Sequence, residues 1–231
     1  MAFATKMKRN FKHIIPTGVK KAMKCGFYSL QDFIAFITRK RVKGCPPKRL
    51  NFVGSGEFIK TGEEFLKHFK KIGGLKSSNV VLDIGSGVGM MALPLARYLD
   101  TNKGEYYGFD IDKRGVNWCK NNISIKYPHF NFKHVDIHNK FVFPYKNEMF
   151  DFVFATSVFT HMLSDQIEQY LDEIKRVLKP GGRIFLTFFS LDKVKEKRIV
   201  DQLKKAGISE ELELYHGGII CAQKKQSKSC P

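Results

Sequence analysis

An acid followed by glycines at every second position, Asp83-Ile84-Gly85-Ser86-Gly87-Val88-Gly89, closes an apolar run that begins at Val80. Glycine there lets the backbone turn sharply and lie against a ligand where any Cβ would clash. The run of residues after the loop has helical spacing, and a helix N-terminus offers N–H groups and a positive dipole end suited to a carboxylate. Twenty-one residues beyond Gly89, Tyr107-Gly108-Phe109 leads into Asp110. An acid at a strand end can accept hydrogen bonds from both hydroxyls of a ribose. Asp83 and Asp110 with Gly85, Ser86, Gly87 and Gly89 therefore describe a nucleoside-cofactor site. Asp83 also suits a bland role, organising the loop by accepting backbone N–H groups. Asp112 competes with Asp110, which is preferred because it follows its strand directly.

Two cofactor types use such loops. The dinucleotide fingerprint spaces its glycines G-x-G-x-x-G, and here the position three after Gly87 is Met90. The fit to that pattern is imperfect. Ile111 and Ile137 follow strands and could sandwich a base, although apolar residues at strand ends commonly belong to a core. Further along, Ser157, Thr160 and His161 follow another apolar run, Phe150-Asp-Phe-Val-Phe-Ala. His161 has the titration range of a general base. It equally suits a histidine that bonds backbone and packs its loop. Ser157 and Thr160 are candidates for polar contacts.

These residues need elements to hold them. Apolar runs at 79–84, 105–110, 131–135, 150–156 and 183–189 predict strands, several of them continuous enough to be buried on both faces. Thr61-Gly-Glu-Glu64 has the form of a capping box opening a helix with Phe65, Leu66, Phe69 and Ile72 inward and Gly73-Gly74 as its stop. Met91, Ala92, Leu95, Ala96 and Leu99 form one apolar stripe, in which Pro94 should kink or delimit the first turn. Ile167, Tyr170, Leu171, Ile174, Val177 and Leu178 form another, ended by Lys179-Pro-Gly-Gly182. A helix is expected over about 193–206. Two short strands at about 211–216 and 218–223 meet at His216-Gly217-Gly218. Together they predict a doubly wound, mostly parallel seven-stranded α/β sheet with an antiparallel C-terminal hairpin.

The pattern D-x-G-x-G-x-G, the acid at Asp110, Val135-Asp136-Ile137, the segment Phe150 to His161, and Arg176-Val-Leu-Lys-Pro-Gly-Gly-Arg183 occur in order over about residues 53–190. In this the chain resembles the class I S-adenosylmethionine-dependent methyltransferases, with their Rossmann-like fold, and within them the broad small-molecule type. The resemblance implies S-adenosyl-L-methionine as cofactor and a methyl acceptor as substrate. It also implies that Asp136 bonds the exocyclic amine of adenine and that His161 lies where substrate meets the methyl group. Members that methylate amino groups of nucleic acids carry an Asn/Asp-Pro-Pro-aromatic signature after the fourth strand; this chain has Ala155-Thr-Ser-Val-Phe-Thr160. Methylation of the cytosine ring needs a nucleophilic cysteine, and that segment has none. An oxygen of a small molecule is the acceptor expected. RNA or protein methylation, and a catalytically weak cofactor-binding module, are the alternatives.

Composition sets the outer limits. The chain has 231 residues, 43% hydrophobic, enough for a substantial core. Its net charge of +18 is uneven: residues 1–50 hold 13 Lys and Arg against one acid, Asp32, and so carry two-thirds of it. Ser29-Leu-Gln-Asp32 opens a short helix in this stretch that ends in Arg39-Lys40-Arg41. Residues 1–50 are expected as a basic, partly helical N-terminal extension and 51–231 as the methyltransferase domain. The extension reads as a solvated tail, an RNA-binding arm or an attachment to an anionic membrane surface. No apolar run reaches transmembrane length. The five cysteines are unpaired in pattern, predicting neither a disulfide framework nor a zinc site, and Trp118 and Cys119 read as packing residues. A cytoplasmic location is expected, with peripheral membrane association and organelle import as open alternatives: the first 25 residues lack acids but are rich in Lys rather than Arg and Ser.

Overall fold

The computed structural model describes residues 45–50, 58–136, 141–159, 162, 164–187, 193–215 and 218–226. The chain divides into two units, Met1–Gly56 and Glu57–Pro231. The predicted helix near 30–41 lies outside the described residues, as do Ile137, Thr160 and His161.

In the second unit the elements run α1 (Phe58–Lys71), β1 (Val80–Ile84), α2 (Ala92–Tyr98), β2 (Glu105–Asp110), α3 (Lys113–Cys119), β3 (Phe130–His134), β4 (Phe150–Ala155), α4 (Ser164–Val177), β5 (Leu178–Thr187), α5 (Lys193–Lys205), β6 (Ile208–Tyr215) and β7 (Ile219–Lys224). A short π-helical stretch, Lys120–Ser124, continues α3. One seven-stranded sheet has the order β3-β2-β1-β4-β5-β7-β6. The pairs from β3 through β5 are parallel, and β7 lies antiparallel between β5 and β6. Strand order reverses between β1 and β4, so their C-terminal ends open a crevice where doubly wound sheets bind ligands.

Both sheet faces are covered, which is why the strands read as continuous apolar runs. On one face Leu82, Ile84, Val153, Ala155, Ile184 and Leu186 pack with Ile167, Leu171 and Ile174 of α4 and Ile199 and Leu203 of α5. On the other, the ring of Phe69 from α1 meets Phe152, Phe154 and Phe185 at centroid distances of 5.8, 4.5 and 4.9 Å.

Two element starts depart from the sequence expectation, and Pro94 sits as expected. Helix α1 starts at Phe58, so Thr61 lies inside it and the Thr61–Glu64 box caps nothing; burying Phe58 extends the helix by almost a turn before it. Strand β5 starts at Leu178 rather than Arg183. Leu178 pairs with Phe150 and Arg183 with Phe152, so Lys179-Pro-Gly-Gly182 bulges from the ladder instead of forming a turn ahead of it. Gln223 holds the bulge by donating to the Gly181 carbonyl at 2.7 Å. Pro94, third residue of α2, falls in the first turn, where no intrahelical acceptor is lost.

Candidate cofactor and methyl-transfer site

The glycine loop leaves β1 directly after Asp83 and Ile84 and crosses the end of β2. Gly85 and Ser86 both donate backbone N–H to the Phe109 carbonyl at 3.0 Å, and Gly89 donates to the Ser86 carbonyl at 2.9 Å. Gly87 donates to Asp110 Oδ2 at 2.7 Å, and Asp112 N–H donates to Asp110 Oδ1 at 2.7 Å. Asp110 thus fixes the loop on one side and the start of α3 on the other, with lone pairs of both oxygens still available to hydroxyl donors. The Asp112 carboxylate instead caps α3, accepting from Arg114 N–H at 3.2 Å.

The loop could be made of little else. Gly87 has φ +52°, and a Cβ there would project into open space with no heavy atom within 4 Å. Opposite it, α3 lies so close that a Cβ on Gly115 would stand 2.8 Å from the Gly87 carbonyl oxygen. The helix expected to begin straight after Gly89 begins only at Ala92 and has seven residues. The loop amides turn inward to Phe109, Asp110 and Ser86, so the loop backbone, rather than a helix dipole, shapes this wall.

Beneath the loop, Asp83 is 1% exposed. Its Oδ2 accepts from the Tyr106 hydroxyl at 2.6 Å, while Oδ1 has no hydrogen-bond partner. Burial, opposed by the Tyr106 hydrogen bond and reinforced by Asp110, pushes the Asp83 carboxyl up to about 7. Ser86 Oγ is also buried without a partner. Two orphaned polar groups under a loop whose central glycine faces open space fit a polar ligand laid across it. Cys119 is fully buried, its thiol pushed well up by burial and by Asp83 and Asp110, which suits packing and excludes a ready nucleophile.

The remaining candidates lie along the same edge of the sheet. Ile111, directly after Asp110, is 63% exposed, an unusual state for a large apolar side chain at the mouth of a core. Asp136 has an exposed side chain 3.6 Å from His134 Nε2. Ser157, beyond β4, is exposed and holds φ +61°, with its N–H donated to Thr187 Oγ1 at 2.7 Å. Val158 reaches back over Gly85, whose added Cβ would stand 2.5 Å from Val158 Cγ2. The structure thus brings Asp83, Ser86, Gly87 and Asp110 into one cluster, with Ile111 and Asp136 at the β2 and β3 ends and Ser157 at the β4 end. Tyr106 and Thr187 were not singled out from sequence. Period-two alternation does place Tyr106, Gly108 and Asp110 on one face of β2, and a tyrosine within a doubly buried strand signals a buried acceptor.

The stretch from Arg176 to Arg183 is structural. Arg176 bonds Glu173 and the carbonyls of Phe143 and Tyr145, Lys179 pairs with Asp151 at 2.8 Å, and Arg183 donates to the Gly73 carbonyl at 2.8 Å. Among the described residues no group of three or more metal-ligating side chains comes together, and no helix is long and apolar enough to cross a membrane.

Comparison with known proteins agrees with this geometry. Residues 82–186 match the family described as Methyltransferase domain. Phosphoethanolamine N-methyltransferase 2 of Caenorhabditis elegans is 25% identical over 145 residues, covering 61% of this chain and 30% of that protein. The chain therefore spans less than a third of that relative's length. A SAM-dependent methyltransferase from Aquifex aeolicus superposes with a TM-score of 0.53 at 23% identity, over 72% of this chain and 89% of the other. The (4+2)-cyclase SpnF gives 0.59 at 18% identity, over 77% and 86%. The match over residues 82–186 is to a methyltransferase domain, and the chain shares the fold of solved S-adenosylmethionine-dependent methyltransferases.

Proposed function

We propose that the chain transfers the methyl group of S-adenosylmethionine to a heteroatom of a small molecule, with oxygen as the acceptor atom. Residues 51–231 form the catalytic domain and 1–50 a basic extension. Bound S-adenosylmethionine supplies a methyl already activated on a sulfonium. The protein's part is to hold a nucleophile in line with that methyl and exclude water, and orientation of this kind contributes roughly 7–11 kcal/mol in favourable cases. Asp110 accepts the ribose hydroxyls, Asp136 the adenine amine, Ile111 and Ile137 flank the base, and Asp83, Gly85, Ser86, Gly87 and Gly89 cradle the amino-acid end. Ser157 contacts the ligand from β4, and His161 is the candidate base for a hydroxyl acceptor.

The observation that carries the acceptor class is the segment after β4. It presents Ser157, Val158 and the buried Phe159 beside the glycine loop, with neither an Asn/Asp-Pro-Pro-aromatic signature nor a cysteine. A second reading, an amine nitrogen, is favoured by the name of the nematode relative. Transfer of labelled methyl from S-adenosylmethionine into fractionated cell extract tests both. Label is expected in the small-molecule fraction, where the product distinguishes ether or ester from methylamine. Label in RNA or protein instead would favour a macromolecular substrate guided by residues 1–50. Binding without transfer to any fraction would favour a cofactor-binding module. Asp110→Ala is expected to weaken S-adenosylhomocysteine binding by about 1–3 kcal/mol, read by calorimetry; unchanged affinity would remove Asp110 from the site.

A further inference from the structure

Tyr106 is fully buried on β2, with its ring stacked on Phe130 at 4.7 Å and tilted against Phe132 at 5.2 Å. Rings on β3 leave its hydroxyl one direction, toward Asp83. The bond at 2.6 Å occupies Oδ2 and so selects Oδ1 as the carboxyl oxygen left unpartnered beneath the loop. The titratable groups coupled to this carboxyl are Tyr106 and Asp110 from β2, Cys119 from α3 and, from across the sheet, Tyr145 of the segment before β4, while its partner on β4 is Phe154. All of these titratable groups are anionic or neutral. A lone carboxylate among them, out of water, has nothing to compensate its charge, whereas a neutral acid does not need compensation. The amino-acid end of the cofactor carries an ammonium group, which is the missing countercharge.

We propose, resting on the cofactor reading above, that Asp83 holds a proton in the free protein and surrenders it when the cofactor's ammonium group binds, with Tyr106 as the positioning residue that directs Oδ1 to the ligand. In this exchange the Oδ1–H bond breaks, the electron pair stays on the carboxylate and the proton passes to the buffer. Cofactor affinity thereby rises with pH in the neutral range. Tyr106 donates to the charged form and favours it, so it sets where that rise falls.

Calorimetry of the full chain with S-adenosylhomocysteine in phosphate and in Tris, at about pH 6, 7 and 8, tests this. For a group titrating near 7 that is ionised in the complex, affinity should rise about tenfold from pH 6 to 8. Roughly half a proton should be released near pH 7, seen as a difference in heat between the two buffers. Asp83→Asn should abolish both effects. Tyr106→Phe should move the rise to higher pH and increase the proton released near neutrality, whereas a merely structural tyrosine would weaken binding equally at every pH. Saturable binding with buffer-independent heat, or proton release that persists in Asp83→Asn, overturns the proposal and leaves the cofactor assignment standing. No saturable binding of S-adenosylhomocysteine or S-adenosylmethionine overturns the placement of the cofactor and this proposal with it.

Discussion

A buried acid with one satisfied oxygen is a stability statement as much as a functional one. In the unfolded chain Asp83 ionises near the usual carboxylate value; in the folded protein it holds its proton to about 7. Below about pH 4 both states are protonated and the group contributes no difference. As pH rises from there to about 7, the unfolded state has released the proton and the folded state has not, so stability falls through this window and levels off above it. Asparagine keeps the shape and can still accept from Tyr106, but never acquires the charge. Asp83→Asn should therefore match the parent near pH 4 and exceed it above pH 7 by a few kcal/mol, at most about 4. Thermal unfolding across that range checks it: a gap between the two proteins that does not widen with pH would mean that Asp83 is ionised in the folded state. This opposition between stability and ligand binding is common where a site holds a group in a costly environment.

Elements meet at this site through unusually small separations. Helix α3 lies on the glycine loop at Gly115, and Ile123 and Cys119 crowd Gly89 from the same side. Gly115→Ala would bring its methyl 2.8 Å from a backbone oxygen that cannot swing away. The expected result is a stability loss of about 1–3 kcal/mol together with weaker S-adenosylhomocysteine binding, since the loop must yield with the helix. Unfolding and calorimetry measured on one sample decide it, and a loss of stability with unaltered affinity would show that the loop does not depend on α3. Alternating glycines and apolar runs made the sheet, the loop and Asp110 legible in sequence, because close backbone approach and double burial restrict residue type directly. What lay hidden depends on pairing across strands. Tyr106 reads as one more aromatic until β2 is set beside β1, where Val81 pairs with Tyr106 and Asp83 with Gly108. Likewise Lys179-Pro-Gly-Gly182 reads as a turn, and only pairing of Leu178 with Phe150 makes it a bulge. The capping-box pattern at Thr61 was outweighed by burial of Phe58, a tertiary effect that local spacing does not contain.

At the scale of the whole molecule the charge and the chemistry come apart. The glycine loop and its acids lie in the unit that begins at Glu57, whereas two-thirds of the net charge of +18 lies in residues 1–50. The excess of charge thus lies outside the unit that carries the glycine loop. Within the second unit, one side chain joins stretches far apart in sequence. Arg183 on β5 donates Nε–H to the Gly73 carbonyl, at the end of α1, and pairs through Nη1 with Glu211 on β6. Gly74, with φ +70°, leaves room for it, since a Cβ there would stand 2.7 Å from Arg183 Nε. One guanidinium thus ties the first helix of the unit to its C-terminal hairpin. The carbonyl end of α1 loses its partner when that group is removed, and the methylene stem alone cannot replace it. Arg183→Met keeps the stem and should cost about 1–3 kcal/mol, lowering the melting temperature by roughly 2–12 °C. Because Arg183 lies four residues before Thr187, roughly 13 Å along the strand, S-adenosylhomocysteine affinity and its pH dependence should stay as in the parent. A shift in that pH profile would show that the hairpin and the glycine loop are coupled through the sheet.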